Sequence, residues 1–188
     1  MAKRKEVSVR VLRRLIECDL ETGLMKWRPR PTWMFNAAPD QIGRIAKAWN
    51  AQFAGKACCY KKLPNGYLVG SIMNKTYYAH RVVYALGMGK WPESQIDHIN
   101  GIRSDNRFSN LRAVTQMENS RNMRRSKANK SGVTGVFWNK GHQKWTAHIR
   151  AQKQSRWLGN FARREDAIAA RKAAERKYGF HPNHGRSK

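Results

Sequence analysis

The apolar residues Val9, Leu12, Leu15 and Ile16 recur at helical spacing, and Glu21-Thr22-Gly23 then turns the chain into Leu24-Met25-Lys26-Trp27. The spacing predicts a helix over residues 9–18 and a short hairpin after it. Residues 29–55 show no clear period and read as loop. Pro64-Asn65-Gly66 is a turn signal leading into a strand over residues 67–72, and two more strands and a helix over residues 80–86 complete a small α+β unit. From Gln95, two apolar-flanked segments enclose a polar, turn-rich loop, the pattern of a hairpin with a long connection. Thr115-Gln116-Met117-Glu118 fits a capping box and opens a helix.

A second unit is expected over residues 131–180. Its middle segment alternates, with Trp145, Ala147 and Ile149 on one face and Lys144, Thr146, His148 and Arg150 on the other. Strands over residues 133–138 and 154–161 flank it, and a helix from about residue 164 to 178 presents Ala167, Ala170, Ala174 and Tyr178 to the sheet. Trp138 and Trp145 are assigned to the core, because aromatic side chains dominate small cores. One face is core and the other cationic.

Charge narrows the partner. The 188 residues carry 38 Lys and Arg against 12 acids, a net +26, of which residues 121–188 supply the largest share. Such an excess self-repels unless a polyanion offsets it, so nucleic acid is the first partner to consider. A hydrophobic fraction of 40% with seven Trp excludes a disordered basic tail. The length excludes a single large enzyme core. No run of about 18 apolar residues is present, so no membrane partner is expected, and the charged N-terminus predicts a cytosolic protein. Cys18, Cys58 and Cys59 match neither a Cys-x-x-Cys pair nor zinc-finger spacing and read as free or buried thiols. The expected organisation is a helix and hairpin region over residues 1–60 that belongs to the catalytic module, its core over 61–123, a basic linker over 124–130, the second unit over 131–180 and a basic tail over 181–188.

Candidate chemistry lies in the long-looped hairpin and the helix after it. Asp97 and His98 are neighbours on a strand, so their side chains point opposite ways unless a bulge or the strand end reconciles them. Asn119, one turn into the following helix, can reach back toward Asp97 over a shared cation, and oxygen donors suit magnesium or manganese. His98 then serves as a general base.

Asp97, His98, Asn110 and Asn119 resemble the ββα-metal motif of HNH nucleases, in the form found in phage and intron-associated homing endonucleases. The likeness extends through Tyr77-Tyr78-Ala79-His80-Arg81, Trp91-Pro92 and residues 21–27, over roughly residues 8–123. It implies that His98 activates water, that Asp97 and Asn119 hold one divalent ion, magnesium or manganese, and that Asn110 locks the loop. Asn119 stands where many relatives have a final His. His80 heads an apolar helix pattern and reads as a packing or loop-fixing residue.

Gly135-Val136, Trp145-x-Ala147-x-Ile149-Arg150 and Trp157-Leu158-Gly159-x-Phe161 resemble the ethylene-response-factor (Apetala-two) DNA-binding domain. That likeness implies a three-stranded sheet in the major groove, with Arg150, Trp157 and Asn160 at contact positions; Lys144 and His148 join them on the cationic face. Thr134, Phe137 and Asn139 stand where plant members often carry arginines.

The expected fold class is thus α+β: a ββα-metal HNH nuclease domain with an N-terminal α+β extension, followed by a three-stranded antiparallel sheet packed on one helix. The expected function is metal-dependent hydrolysis of double-stranded DNA by a homing-type phage endonuclease in the bacterial host cytosol. One metal centre per chain nicks one strand, and a double-strand break needs a second event or a homodimer on DNA. A non-cleaving DNA-binding regulator on the same scaffold is the alternative, and an RNA-directed protein is a third reading.

Overall fold

The computed structural model describes residues 6–121, 125–126, 128–152, 154–182 and 184–185. The chain divides into two compact units, Met1–Val114 and Thr115–Lys188. The basic stretch over 124–130 and the tail over 181–188 fall partly outside the described residues.

In the first unit, helix α1 (Val9–Leu15) starts at Ser8, whose hydroxyl accepts the Val11 N–H at 3.4 Å. The helix stops three residues short of the predicted end. Ile16–Cys18 instead forms strand β1 against β2 (Met25–Trp27), pairing Ile16 with Trp27 and Cys18 with Met25. Cross-strand pairing of a β-branched residue with an aromatic one outweighs the helical spacing. Helix α2 (Pro39–Phe53) occupies the segment expected to be loop. Its start, Pro39 at the first helical position, and its sparse stripe of Ile42, Ala46, Trp49 and Phe53 were readable, but Ala46 alone of the stripe is buried.

Strands β3 (Lys61–Lys62), β4 (Leu68–Ile72) and β5 (Lys75–Tyr78) form an antiparallel sheet in that order. Helix α3 (Ala79–Met88) follows and ends at Gly89, whose φ of 74° is the left-handed cap conformation glycine adopts without strain. Strands β6 (Gln95–His98) and β7 (Leu111–Val114) make the expected long-looped hairpin. Ile96 and Leu111 pack into one core with Leu12, Leu15, Ile72 and Val82. The hairpin therefore rests on the same core as the N-terminal helix. Cys18, Cys58 and Cys59 are free thiols, the last two buried.

The second unit begins with α4 (Gln116–Arg121). Its capping box closes as the residues predict: the Glu118 carboxylate accepts the Thr115 N–H at 2.8 Å, and the Thr115 hydroxyl accepts the Glu118 N–H at 3.2 Å. Strands β8 (Val136–Asn139), β9 (Lys144–Ala151) and β10 (Gln154–Phe161) form an antiparallel sheet with β9 in the middle, and α5 (Arg164–Lys177) packs on it. Val136, Ala147 and Ala167 are buried between sheet and helix, with Trp145, Leu158, Phe161 and Ile168 around them. Trp138 departs from its assignment to the core. It is 45% exposed on edge strand β8, its ring edge-on to Trp145 with centroids 5.5 Å apart. No helix among the described residues is long and apolar enough to cross a membrane.

Candidate functional site

The register of the β6–β7 hairpin is unbroken, pairing Asp97 with Arg112 and His98 with Leu111. Alternation along β6 therefore sends Asp97 and His98 to opposite sides, with no bulge in the ladder and His98 as the last residue of the strand. Asp97 is buried, and its Oδ2 accepts two hydrogen bonds from Arg112, from Nε at 3.1 Å and Nη2 at 2.9 Å. Cross-strand partners share a face of the ladder, so Arg112 is placed to orient the carboxylate. The sequence reading missed Arg112, because the pairing appears only once the twelve-residue connection fixes the register.

His98 is 2% exposed, and its Nε2 lies 3.2 Å from the Asn106 Oδ1. With that amide orientation Nε2 carries the proton and the basic lone pair sits on Nδ1. Burial pulls the His98 pKa below the usual imidazole value, while Asn106 and Asp97 pull it back in part. The rings of Tyr67 and His80 lie beside it, with centroids 5.8 and 5.1 Å away. His80 is itself buried, and burial, helped by His98 and Arg81, pushes its pKa down to about 3. A neutral imidazole packed in this aromatic wall fits the packing role read from the helix pattern.

Asn110 ties the loop together. Its Oδ1 accepts the Asn100 N–H at 3.0 Å, and its Nδ2 donates to Asn100 Oδ1 at 3.0 Å and to the Asp105 carbonyl at 2.8 Å. The Ile99 N–H adds a bond to the Asn110 carbonyl at 2.9 Å. Asp105 accepts Arg107 at 2.9 and 2.7 Å and Asn100 at 2.7 Å; the Arg107 bonds, with that of Asn100, hold its carboxyl down to about 2. Asn100, Asp105 and Asn106 were legible only as turn formers, and their mutual bonds emerge from the closed loop.

The N-terminal hairpin buttresses this loop from below. The Phe108 N–H donates to the Leu20 carbonyl at 2.9 Å, and Gly23, at φ 73°, lies so close that a Cβ would stand 2.3 Å from the Asn106 carbonyl carbon. Gly23→Ala is expected to displace Asn106, and His98 with it. A shift of about 1 Å in a catalytic group costs roughly 10²-fold in rate, which a cleavage time course on the folded variant would register.

Asn119 lies on α4, in the second unit, with its N–H bonded to the Thr115 carbonyl at 3.0 Å. Among the described residues no three His, Cys, Asp or Glu side chains cluster as a metal cage.

In the second unit the register brings Lys144, His148, Arg150, Trp157 and Asn160 to one face of the sheet. His148 pairs with Trp157 and Thr146 with Asn160, while Ala147, Ile149 and Ala151 are buried on the other side. Trp157 is 69% exposed, and Phe137 joins it at 45% with its ring 5.6 Å from His148. The face is less uniformly cationic than the alternation suggests. Thr146 is buried and donates to the Asn160 Oδ1 at 2.7 Å. Burial, and then Arg171, lowers the His148 pKa, so this histidine brings a hydrogen-bonding ring rather than a charge at neutral pH. Beneath the sheet, Arg171 and Glu175 form a buried pair that sequence reasoning missed; their i,i+4 spacing was the available signal.

Residues 77–121, which span the end of β5, α3, the β6–β7 hairpin and α4, match the family model described as HNH endonuclease. That segment is accordingly similar to HNH endonuclease domains. Protein 3.8 of Escherichia phage T7 is 35% identical over 74 residues, covering 39% of this chain and 61% of that protein. No solved structure matches the chain.

Proposed function

We propose that the protein is a metal-dependent endonuclease of the homing type, phage-encoded and active in a bacterial cytosol, whose second unit holds duplex DNA. The observation that carries this reading is the buried, neutral His98 at the end of β6. It is oriented by Asn106 and backed by a loop pinned through Asn110, within the HNH-matching segment.

By the resemblance to HNH nucleases, Asp97 and Asn119 would be the residues that hold a hard divalent ion. Asp97 offers a carboxylate and Asn119 an amide oxygen, and magnesium is commonly held by one or two protein oxygens with water and substrate phosphate completing its shell. Such an ion, when bound, supplies charge stabilisation at the leaving 3′ oxygen. The chain's own residues do the rest. Arg112 orients Asp97, His98 takes the proton from water at Nδ1, and Asn110 keeps the loop closed so that the imidazole does not swing. The products are a 5′ phosphate and a 3′ hydroxyl.

The sheet face of the second unit supports the division of labour. Its exposed Lys144 and Arg150 suit phosphates, and Trp157 and Phe137 suit sugars and base methyl groups, as in the ethylene-response-factor domains it resembles. The test is nicking of supercoiled plasmid with magnesium or manganese against chelator. Asp97→Ala and Asn119→Ala are expected to lower cutting and spare DNA affinity, whereas removing residues 131–188 does the reverse. A folded chain that binds duplex but never cuts with either ion would instead be a regulator, and one that prefers structured RNA at matched salt would overturn the DNA assignment.

A further inference from the structure

A second feature of the first unit takes no part in the hydrolytic chemistry. Strand β2 pairs with the segment after α2: the Trp27 N–H donates to the Lys56 carbonyl at 2.9 Å, and the Gly55 N–H to the Trp27 carbonyl at 2.8 Å. This fixes Trp27 beside a cleft of about 410 Å³ lined by Gln52, Phe53, Lys56, Ala57 and Tyr60. A second hollow, of about 260 Å³, shares Trp27 and Phe53 and is lined also by Trp49, Arg30 and Asn74. Trp27 and Phe53 thus wall both hollows. Trp49 stands edge-on to Trp27 at 5.7 Å and 5.1 Å from Phe53, and Tyr60 is 71% exposed at the mouth.

The polar groups of this groove are all cationic, amide or hydroxyl; among the described residues no acidic side chain lines either hollow. Lys56 on the cleft wall is exposed, as are Lys61 and Lys62 just beyond Tyr60. Arg30 is stacked 4.2 Å over Phe35, its Nη2 donates to the Met34 carbonyl, and its Nε has no partner among the described residues. Aromatic rings walling a concave, acid-free, lysine-edged surface match the demands of an unpaired base: its π-face stacks on a ring, its edge meets an amide, and its phosphates meet lysines. Duplex DNA presents only base edges and offers no π-face to such a cleft.

We propose that this groove binds single-stranded DNA, seating an unpaired base against Tyr60, Trp27 and Phe53 with a flanking phosphate on Lys56. The proposal does not depend on cutting, and its test is made in chelator so that a failure of the nuclease reading leaves it standing. The full chain is photo-crosslinked to an oligothymidylate of about 12 nucleotides carrying one 5-iododeoxyuridine, and the adducts are mapped by mass spectrometry. Adducts are expected on Trp27, Phe53 or Tyr60. Tyr60→Ala, a change at an exposed position, is expected to weaken oligothymidylate binding about tenfold. Tyr60→Phe should restore it, and affinity for an abasic strand of equal charge should stay the same. Adducts confined to residues 136–161, or an equal loss for the abasic strand, would overturn the assignment, leaving respectively the second unit as the single-strand site or phosphate attraction alone.

Discussion

Replacing His98 by alanine is expected to lower metal-supported DNA cutting by roughly 10²–10⁴-fold, the usual contribution of a positioned general base, while duplex affinity is retained. The size of the effect follows from the geometry. The imidazole is 2% exposed, oriented by Asn106 at 3.2 Å, and backed by a loop that Asn110 crosslinks. No other described side chain shares that position on the hairpin. Burial, the largest influence, lowers its pKa, so the basic form persists as pH falls through the ordinary imidazole range. A cation on Asp97 pushes the same way. The single-turnover rate is therefore expected to stay level near pH 6.5 and to decline only at lower pH, whereas an exposed histidine would lose half its basic form there. Stability moves in the same window. His98 and His80 bind a proton more readily in the unfolded chain, so the fold is fully favoured above their unfolded pKa and loses stability as pH falls toward the depressed folded values. Circular dichroism at each pH separates the two effects. Cutting by His98→Ala at the parent rate would remove the imidazole from the chemistry.

Arg171→Met is expected to destabilise the second unit by about 3–5 kcal/mol, the range for removing one member of a buried ion pair. Arg171 is 3% exposed, and its guanidinium donates to Glu175 Oε1 at 3.0 Å, the His148 carbonyl at 2.8 Å and His184 Nε2 at 3.2 Å. Phe180 stacks beneath it. Removing the cation leaves the Glu175 carboxylate in the interior with Lys172 at 2.8 Å and the His184 ring at 3.9 Å. It also strips a donor from the carbonyl of His148 on the central strand. For a unit of this size the melting temperature should fall by on the order of 20 °C, and duplex affinity should fall with it at temperatures where the variant is unfolded. The double change Arg171→Met with Glu175→Leu should recover much of the loss, because no buried charge is then left unpaired; Lys172, which loses Glu175, is partly exposed to water. Thermal denaturation followed by tryptophan fluorescence distinguishes these outcomes. A single variant that melts with the parent would show the pair to be dispensable.

Much of the architecture was legible because it is written at short range. Strict alternation announced β9, a turn-rich connection between apolar runs announced the β6–β7 hairpin, and a Thr and a Glu three residues apart announced the start of α4. Helix α2 is encoded by Pro39 and the spacing of Ile42, Ala46, Trp49 and Phe53, but most of that stripe is only half-buried and its period is faint. The extension of α1 through Cys18 failed for the opposite reason. The local period was real, but pairing with β2 used Ile16 and Cys18 in a different way. Trp138 shows the same limit, since residue type suggested burial and an edge position on the sheet decided otherwise.

The chain's own pattern was sufficient to set out a basic, two-part, α+β protein and to single out Asp97, His98, Asn110 and Asn119 as the residues that resemble a nuclease motif. Only folding could reveal that Arg112 grips Asp97, that Asn106 orients His98, that Gly23 must lack a side chain beneath the loop, and that Arg171 is buried. Periodicity and caps are decided within a turn or two of chain. A partner across a sheet or beneath a loop is decided by register and by packing between distant segments, where a slip of one residue turns every side chain to the other face.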